Sequence, residues 1–349
     1  MGSMADFWFG VVAVMLGMYA LTDGFDLGAG ALHLFLARND RERRQILAAI
    51  GPWWDGNEVW LLAAGGALFV AFPRVLASGL SGFYFAIFLV LWCLLGRGIA
   101  IEFRHALAHP MWKAFWDVVF AGCSLLLAIF FGAALGNLMR GLPLDADGWF
   151  SLTLFTNFTA RPPVGILDVY TIAAGLFTAL LLCTHGAAFL AMRCEGGVEQ
   201  RALALFRRLY VAQLIAWPLM TLATWAVYRD MFRPEIRSLV WPGVLLVLAS
   251  MMHGFARTPD AGRRAFSASI LFISGLLTAT AYALYPALLR SIGDRALSLT
   301  VHNAAAGEHG LRVAAIWLAI GGPLAVGYLL VLTRLHRARV APPAESEAH

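Results

Sequence analysis

The chain has 349 residues, of which 60% are hydrophobic and only 13% carry charge, with a formal net charge of +5. Soluble domains are about 25% charged, so this composition excludes a soluble enzyme or binding domain and defines an integral membrane protein. The excess of positive charge lies in connections between apolar runs, which excludes a basic nucleic-acid-binding patch as its source.

Crossing a bilayer takes about 20 apolar residues in helical form. Nine runs qualify, at roughly 5–36, 52–73, 77–96, 114–137, 165–192, 209–228, 239–256, 265–287 and 312–333. The pattern predicts an all-α polytopic protein with about nine transmembrane helices over residues 1–340. The first run lacks the basic flank of a cleavable signal, its first Lys or Arg being Arg38. Gly24, Gly28 and Gly30 in that run predict a bend or an early end. The short connection around Pro73 to Ser78 predicts that runs two and three form a tight hairpin. Residues 138–164 make the longest outer connection. Residues 341–349, with Pro342, Pro343, Glu345 and Glu347, read as a disordered tail.

With nine spans the connections alternate sides. Seventeen of the 26 Lys and Arg residues then share one side, within 38–44, 97–113, 193–208, 257–264 and 334–339, leaving nine on the other. The positive-inside rule makes the richer side cytoplasmic, with the N-terminus outside and the C-terminal tail in the cytoplasm. One internal echo suggests related halves, at 1–140 and 165–290, with a ninth helix added at 312–333. Asp6 precedes Thr22-Asp23-Gly24 by 16 residues, and Asp168 precedes Thr184-His185-Gly186 by the same 16.

Chemistry concentrates in the first two runs. Asp23 and Asp26 interrupt the first, and Asp55, Asn57 and Glu58 open the second within Trp53-Trp54-Asp55-Gly56-Asn57-Glu58-Val59-Trp60. An ionisable group at the centre of a membrane helix costs roughly 2.5–3.5 kcal/mol on insertion scales, so four acids here point to protons or ions handled inside the membrane. Helix rise places Asp55 about 5 Å, Glu58 about 9 Å, Asp26 about 15 Å and Asp23 about 20 Å from the cytoplasmic boundary. That ranking suits a proton intake path; a purely structural stack of neutralised acids has the same spacing. The three-residue step puts Asp55 and Glu58 on one helix face, and with Asp23 and Asp26 they predict a polar face for a partner subunit. Asn57 can donate to a neighbouring carboxylate, Gly56 leaves room for water beside Asp55, and Trp53 and Trp54 read as interfacial aromatics. Arg97, Glu102 and Arg104 follow the third run as a cytoplasmic cluster that could gate or tune the intake, or simply form a positive-inside cluster with an ion pair.

No metal site is predicted. Cys93, Cys123, Cys183 and Cys194 lack CxxC spacing, and His33, His185 and His253, the last beside Met251 and Met252, form no His/His or His/Met pair at matched depth for haem ligation.

The segments Thr22-Asp23-Gly24-Phe25-Asp26-Leu27-Gly28, Trp54-Asp55-Gly56-Asn57-Glu58-Val59-Trp60, Ala64-Gly65-Gly66-Ala67-Leu68-Phe69 and Ser81-Gly82-Phe83-Tyr84 closely resemble subunit II of cytochrome bd-type quinol oxidases. So do the stretch Arg38 to Arg44 and Gly136-Asn137-Leu138, with the match dense over 20–104 and thinner beyond. The resemblance implies two four-helix bundles plus one extra helix, in a bacterial inner-membrane complex that oxidises quinol and reduces dioxygen to water. It implies a haem-bearing subunit I with two b-type haems and one d-type haem. This chain would be its haem-free partner, contributing a cytoplasmic proton path through Asp55 and stabilising the complex. It leaves open a quinone on this chain and a small single-helix accessory subunit. Two other classes fit buried acids: a proton-coupled secondary transporter, which would show substrate uptake by this chain alone, and a haem-bearing subunit, which would keep haem when isolated.

Overall fold

A computed structural model describes residues 3–232, 234–255 and 260–343. Arg257 and the end of the tail, 344–349, lie outside the described residues, as do the side chains of 232–241. The elements in chain order are α1 (Met4–Leu36), α2 (Asp40–Ile50), α3 (Trp54–Ala71), α4 (Pro73–Gly82), α5 (Tyr84–Phe103), α6 (Pro110–Arg140), α7 (Val169–Arg193), α8 (Gly197–Val227), α9 (Pro234–Phe255), α10 (Ala261–Leu284), β1 (Ala287–Leu289), β2 (Leu299–Thr300) and α11 (Glu308–Leu335). Seven of these helices are long and apolar enough to cross a membrane: α1, α5, α6, α7, α8, α10 and α11. Helices α3 and α9 stand where spans were expected. Acids and glycines dilute the apolar character of α3, and the apolar part of α9 is the short stretch Pro242–His253.

Local chemistry sets the boundaries. A capping box joins Ser3 and Asp6 at the start of α1, and Asp168 with Thr171 forms another at the start of α7; each satisfies amide donors that a helix start leaves free. Prolines stand in the first turn of α4 and α6, where the missing N–H costs nothing. The glycines of α1 do not end it, since the helix runs through them to Leu36. Instead α1 crosses α7 backbone to backbone: a methyl built on Gly28 would lie 1.8 Å from the Leu182 carbonyl oxygen, and one on Gly186 would lie 2.2 Å from the Ala29 nitrogen.

Three sequence expectations change. The tight hairpin is replaced by α4, an extra ten-residue helix between α3 and α5, because Pro73 starts a new helix at once. Helix α3 then packs on α1, and α5 on α6. The third span is correspondingly shifted from 77–96 to Tyr84–Phe103. The basic stretch after α1 is helical as well, since Asn39 caps α2 by accepting from the Glu42 amide at 3.0 Å.

Two clusters mark opposite ends of the helices. At one end the start of α1, the α3–α4 junction, residues 142–166, β1, β2 and the start of α11 close into a cap. It is tied by Trp8 donating to the Leu311 carbonyl (3.1 Å) and by Tyr285 donating to Asp6 (2.9 Å). At the other end α2, Trp53, the end of α5, the α7–α8 junction and the start of α10 pack together. The chain after α11 returns there, with the Val340 amide donating to the Arg193 carbonyl at 2.7 Å. This second end, with α2 and Arg193 to Arg201, is the basic face.

Candidate functional site: a buried charge cluster

Helices α1, α3 and α5 bring the predicted acids together. Asp23 and Asp26 sit on α1 and are fully buried. Asn57 of α3 donates to Asp26 Oδ2 at 2.7 Å and to the Thr22 carbonyl at 3.1 Å. Arg97 of α5 donates from Nη2 both to Asp23 Oδ1 and to Glu58 Oε1, each at 2.7 Å. One guanidinium therefore joins two carboxylates on two other helices, while the third carboxylate, Asp26, is hydrogen-bonded among the described residues only by a neutral amide. The side chains of Asp23 and Arg97 are 0% and 1% exposed, and Glu58 is 29% exposed. Asp23 Oδ2, Asp26 Oδ1, Arg97 Nε and Nη1 and the Tyr19 hydroxyl are enclosed without a hydrogen-bond partner. Unpaired polar atoms at such density are costly unless they are met by other groups. Arg97 is thus not part of a cytoplasmic surface cluster: α5 continues to Phe103, which carries Arg97 inside.

The other expected contacts divide. Asp55 is exposed at the start of α3 and makes no hydrogen bond or ion pair among the described residues. Its expected help from Asn57 goes to Asp26, because the amide points inward to α1. Gly56 does not open a space for water, since Tyr328 of α11 packs on it with its hydroxyl 3.0 Å from where a methyl would stand. Trp53 is not interfacial; it is buried in the basic-face core, while Trp54 packs toward Gly98. Glu102 is exposed and forms no pair with Arg97 or Arg104. Of the four acids only Asp55 and part of Glu58 reach the surface, so the polar face expected for a partner is mostly internal to this chain.

A second cluster escaped the sequence reading. Asp117 of α6 is buried, accepting from His33 Nε2 at 2.7 Å, from Arg104 Nε at 2.6 Å and from Arg43 at 3.0 Å. Arg104 also donates to Asp40 at 2.6 Å, and Lys113 lies 3.7 Å from the same acid. Burial works against the Asp40 carboxylate, but Arg104, Lys113 and Arg44 outweigh it and hold the group below the usual carboxylate range. His105 is shifted down by desolvation and by Arg104. The available signal was the run of basic residues at 38–44 facing a lone acid in α6, which spacing alone could not join.

His185 is buried where α1, α7 and α10 meet. Its Nε2 donates to the Leu21 carbonyl at 2.9 Å, its Nδ1 pairs with the Ser269 hydroxyl at 2.7 Å, and its ring stacks on Phe266. Both ring nitrogens are engaged. His253 is exposed on α9, and the described residues contain no group of three or more His, Cys, Asp or Glu placed for a metal ion.

Long apolar helices closed around buried, mostly paired charges define a multi-pass integral membrane protein. Residues 4–336 match the family described as cytochrome bd terminal oxidase subunit II. The chain is 34% identical over 352 residues to the Bacillus subtilis (strain 168) cytochrome bd ubiquinol oxidase subunit 2, covering 98% of each. It is 39% identical over 223 residues to the Escherichia coli (strain K12) cytochrome bd-I ubiquinol oxidase subunit 2, covering 63% of this chain and 56% of that one. Its fold is that of a chain in the structure of bd oxidase from Geobacillus thermodenitrificans, with a TM-score of 0.69, 17% identity and coverage of 95% and 98%. The chain belongs to the cytochrome bd terminal oxidase subunit II family. It is accordingly a subunit of a respiratory terminal oxidase of the inner membrane, in a complex that includes a subunit I and contains haem.

Proposed function

We propose that this chain is the haem-free partner of subunit I in a complex that oxidises quinol and reduces dioxygen to water, and that its buried cluster moves protons from the basic face toward that partner. In this reading subunit I carries the two b-type haems and the d-type haem, and the basic face is cytoplasmic, with the N-terminus outside. Helices α3 and α9 also span the membrane, giving nine spans. Helices α1, α3, α5 and α6 form one four-helix unit and α7 to α10 the other, with α11 added. The repeated pairing supports this: first with second, first with fourth and third with fourth in each set.

The observation that carries the proton role is the unequal pairing of the three carboxylates. Arg97 holds Asp23 and Glu58 as its counter-ions, whereas Asp26 has only Asn57 and keeps one enclosed oxygen free. A carboxyl with a neutral partner can take and release a proton without breaking an ion pair. Asp55, exposed one helical turn before Glu58, is the entry acid, and Glu58, partly exposed, is the next step inward.

Asp55→Asn keeps size and hydrogen bonding and removes the titrating group. Quinol-driven oxygen consumption should slow while assembly and haem content stay normal. Loss of haem would make Asp55 structural; normal turnover at every pH would remove it from the path.

A further inference from the structure

A cavity of about 1000 Å³ opens at the basic face between α11, the middle of α1, the end of α7 and the start of α10. Its inner wall is mostly apolar, built from Met18, Leu21, Phe25, Phe266, Ile270 and Leu329, with Thr22 and Asn57 as polar members. Its mouth is charged. Arg339 is paired there with Glu199 at 2.7 Å and Arg263 with Asp260 at 3.3 Å, so Arg193 and Arg337 are the surplus cations.

Arg193 lines the cavity, is 7% exposed, and its guanidinium forms no ion pair among the described residues. A buried cation without a counter-ion is costly. An occupant that suits the site must carry negative charge at the mouth and present a long apolar part to the inner wall.

We propose that this cavity binds an anionic phospholipid, with its phosphate on Arg193 and Arg337 and one acyl chain along the apolar wall. Guanidinium groups fork onto phosphate oxygens, and basic pockets between membrane helices hold lipid headgroups in this way. The volume is at the upper end of ordinary ligand sites, which suits a headgroup with one chain. The site also explains how α11 is held. Leu311 is its one buried residue, and it packs only lightly on α1 and α3, so a lipid wedged behind it supplies contacts that the protein does not.

The test uses the purified oxidase complex after exhaustive detergent exchange, reading bound phosphorus, native mass and Tm during titration with micelles of phosphatidylglycerol, phosphatidylcholine or with inorganic phosphate. The wild-type complex should keep one anionic lipid, and phosphatidylglycerol alone should raise Tm. The double variant Arg193→Gln/Arg337→Gln should need at least tenfold more phosphatidylglycerol. Equal binding by the double variant, equal effects of phosphatidylcholine, a full shift with inorganic phosphate, or a different molecule in the native mass would overturn the proposal. If the double variant does not assemble, Ile270→Trp fills the apolar end and leaves every charge in place. It should abolish lipid retention, and unchanged retention would be equally decisive against the site.

Discussion

Replacing Arg97 by Gln removes one guanidinium and leaves two carboxylates without their counter-ion. Asp23 is 0% exposed and bonded to Arg97 at 2.7 Å, so it becomes an uncompensated buried charge. Breaking a buried pair by deleting one partner costs about 3–5 kcal/mol. Glu58 is bonded at the same distance but is 29% exposed, so water and salt screen its loss and it adds a smaller share. Against a net stability of about 5–15 kcal/mol, Arg97→Gln should lower the yield of assembled oxidase sharply and depress its Tm by about 5–10 °C. Adding Asp23→Asn removes the stranded charge, and the double variant should regain most of that loss. Thermal unfolding of the purified complexes, run as a cycle of wild type, two single variants and the double, measures the coupling directly. An Arg97→Gln complex as stable as wild type, or a double variant no better than Arg97→Gln, would refute the neutralisation argument.

Three further outcomes follow from other contacts. Gly28→Ala should force α1 and α7 at least about 1.2 Å apart, since its methyl would start 1.8 Å from the Leu182 carbonyl oxygen and real contacts stay beyond 3.0 Å; overpacking of this kind costs about 1–3 kcal/mol, read as a lower Tm and yield of the complex. His185→Phe should cost about 1–3 kcal/mol by orphaning its two polar partners, while the haem spectrum of the assembled complex stays unchanged; loss of one haem band would reject the haem-free reading. Asp40 is held below the usual carboxylate range, so its stabilisation is full above the unfolded value near about 3.9 and is lost as pH falls through the lower folded value. Asp40→Asn should therefore be less stable than wild type above about pH 5, with the gap closing below about pH 4 in a Tm–pH series.

The helices were legible because hydrocarbon-length apolar runs leave few alternatives, and the acids of α1 and α3 were legible because charge in such runs stands out. Arg97 was misread for the same reason. A hydropathy scan ends a span at a cation, yet Arg97 is neutralised by Asp23 and Glu58 and stays inside α5. Asp117 and His33 are 84 positions apart, and nothing local in either segment announces the other. Tyr328 filling the space above Gly56 was equally hidden, because a glycine in sequence shows only that room is needed and never which side chain takes it. The break between α4 and α5 falls at Phe83, directly after Gly82, a glycine inside a run that was read as one span; the turn signal at Pro73 was read as a loop when it started a helix.

The placement of Asp55 changes where a partner must bind. Asp23 and Asp26 are covered by this chain's own helices, so they place no demand on another subunit. Asp55 is exposed, as are Val59, Leu62 and Phe69, at 55%, 74% and 67%. Steps of four, three and seven residues put all of them on one stripe of α3. An apolar stripe alone would be as content in lipid as against protein. A carboxylate at its basic-face end is not, because a charge within the membrane boundary needs water, a cation or a polar neighbour. We propose that this stripe is the surface that meets subunit I, with Asp55 at its edge. Entry acid and subunit contact would then lie on the same helix face, so that a proton reaching Glu58 starts beside the partner that consumes it. A complex in which this stripe of α3 faces lipid would exclude that arrangement.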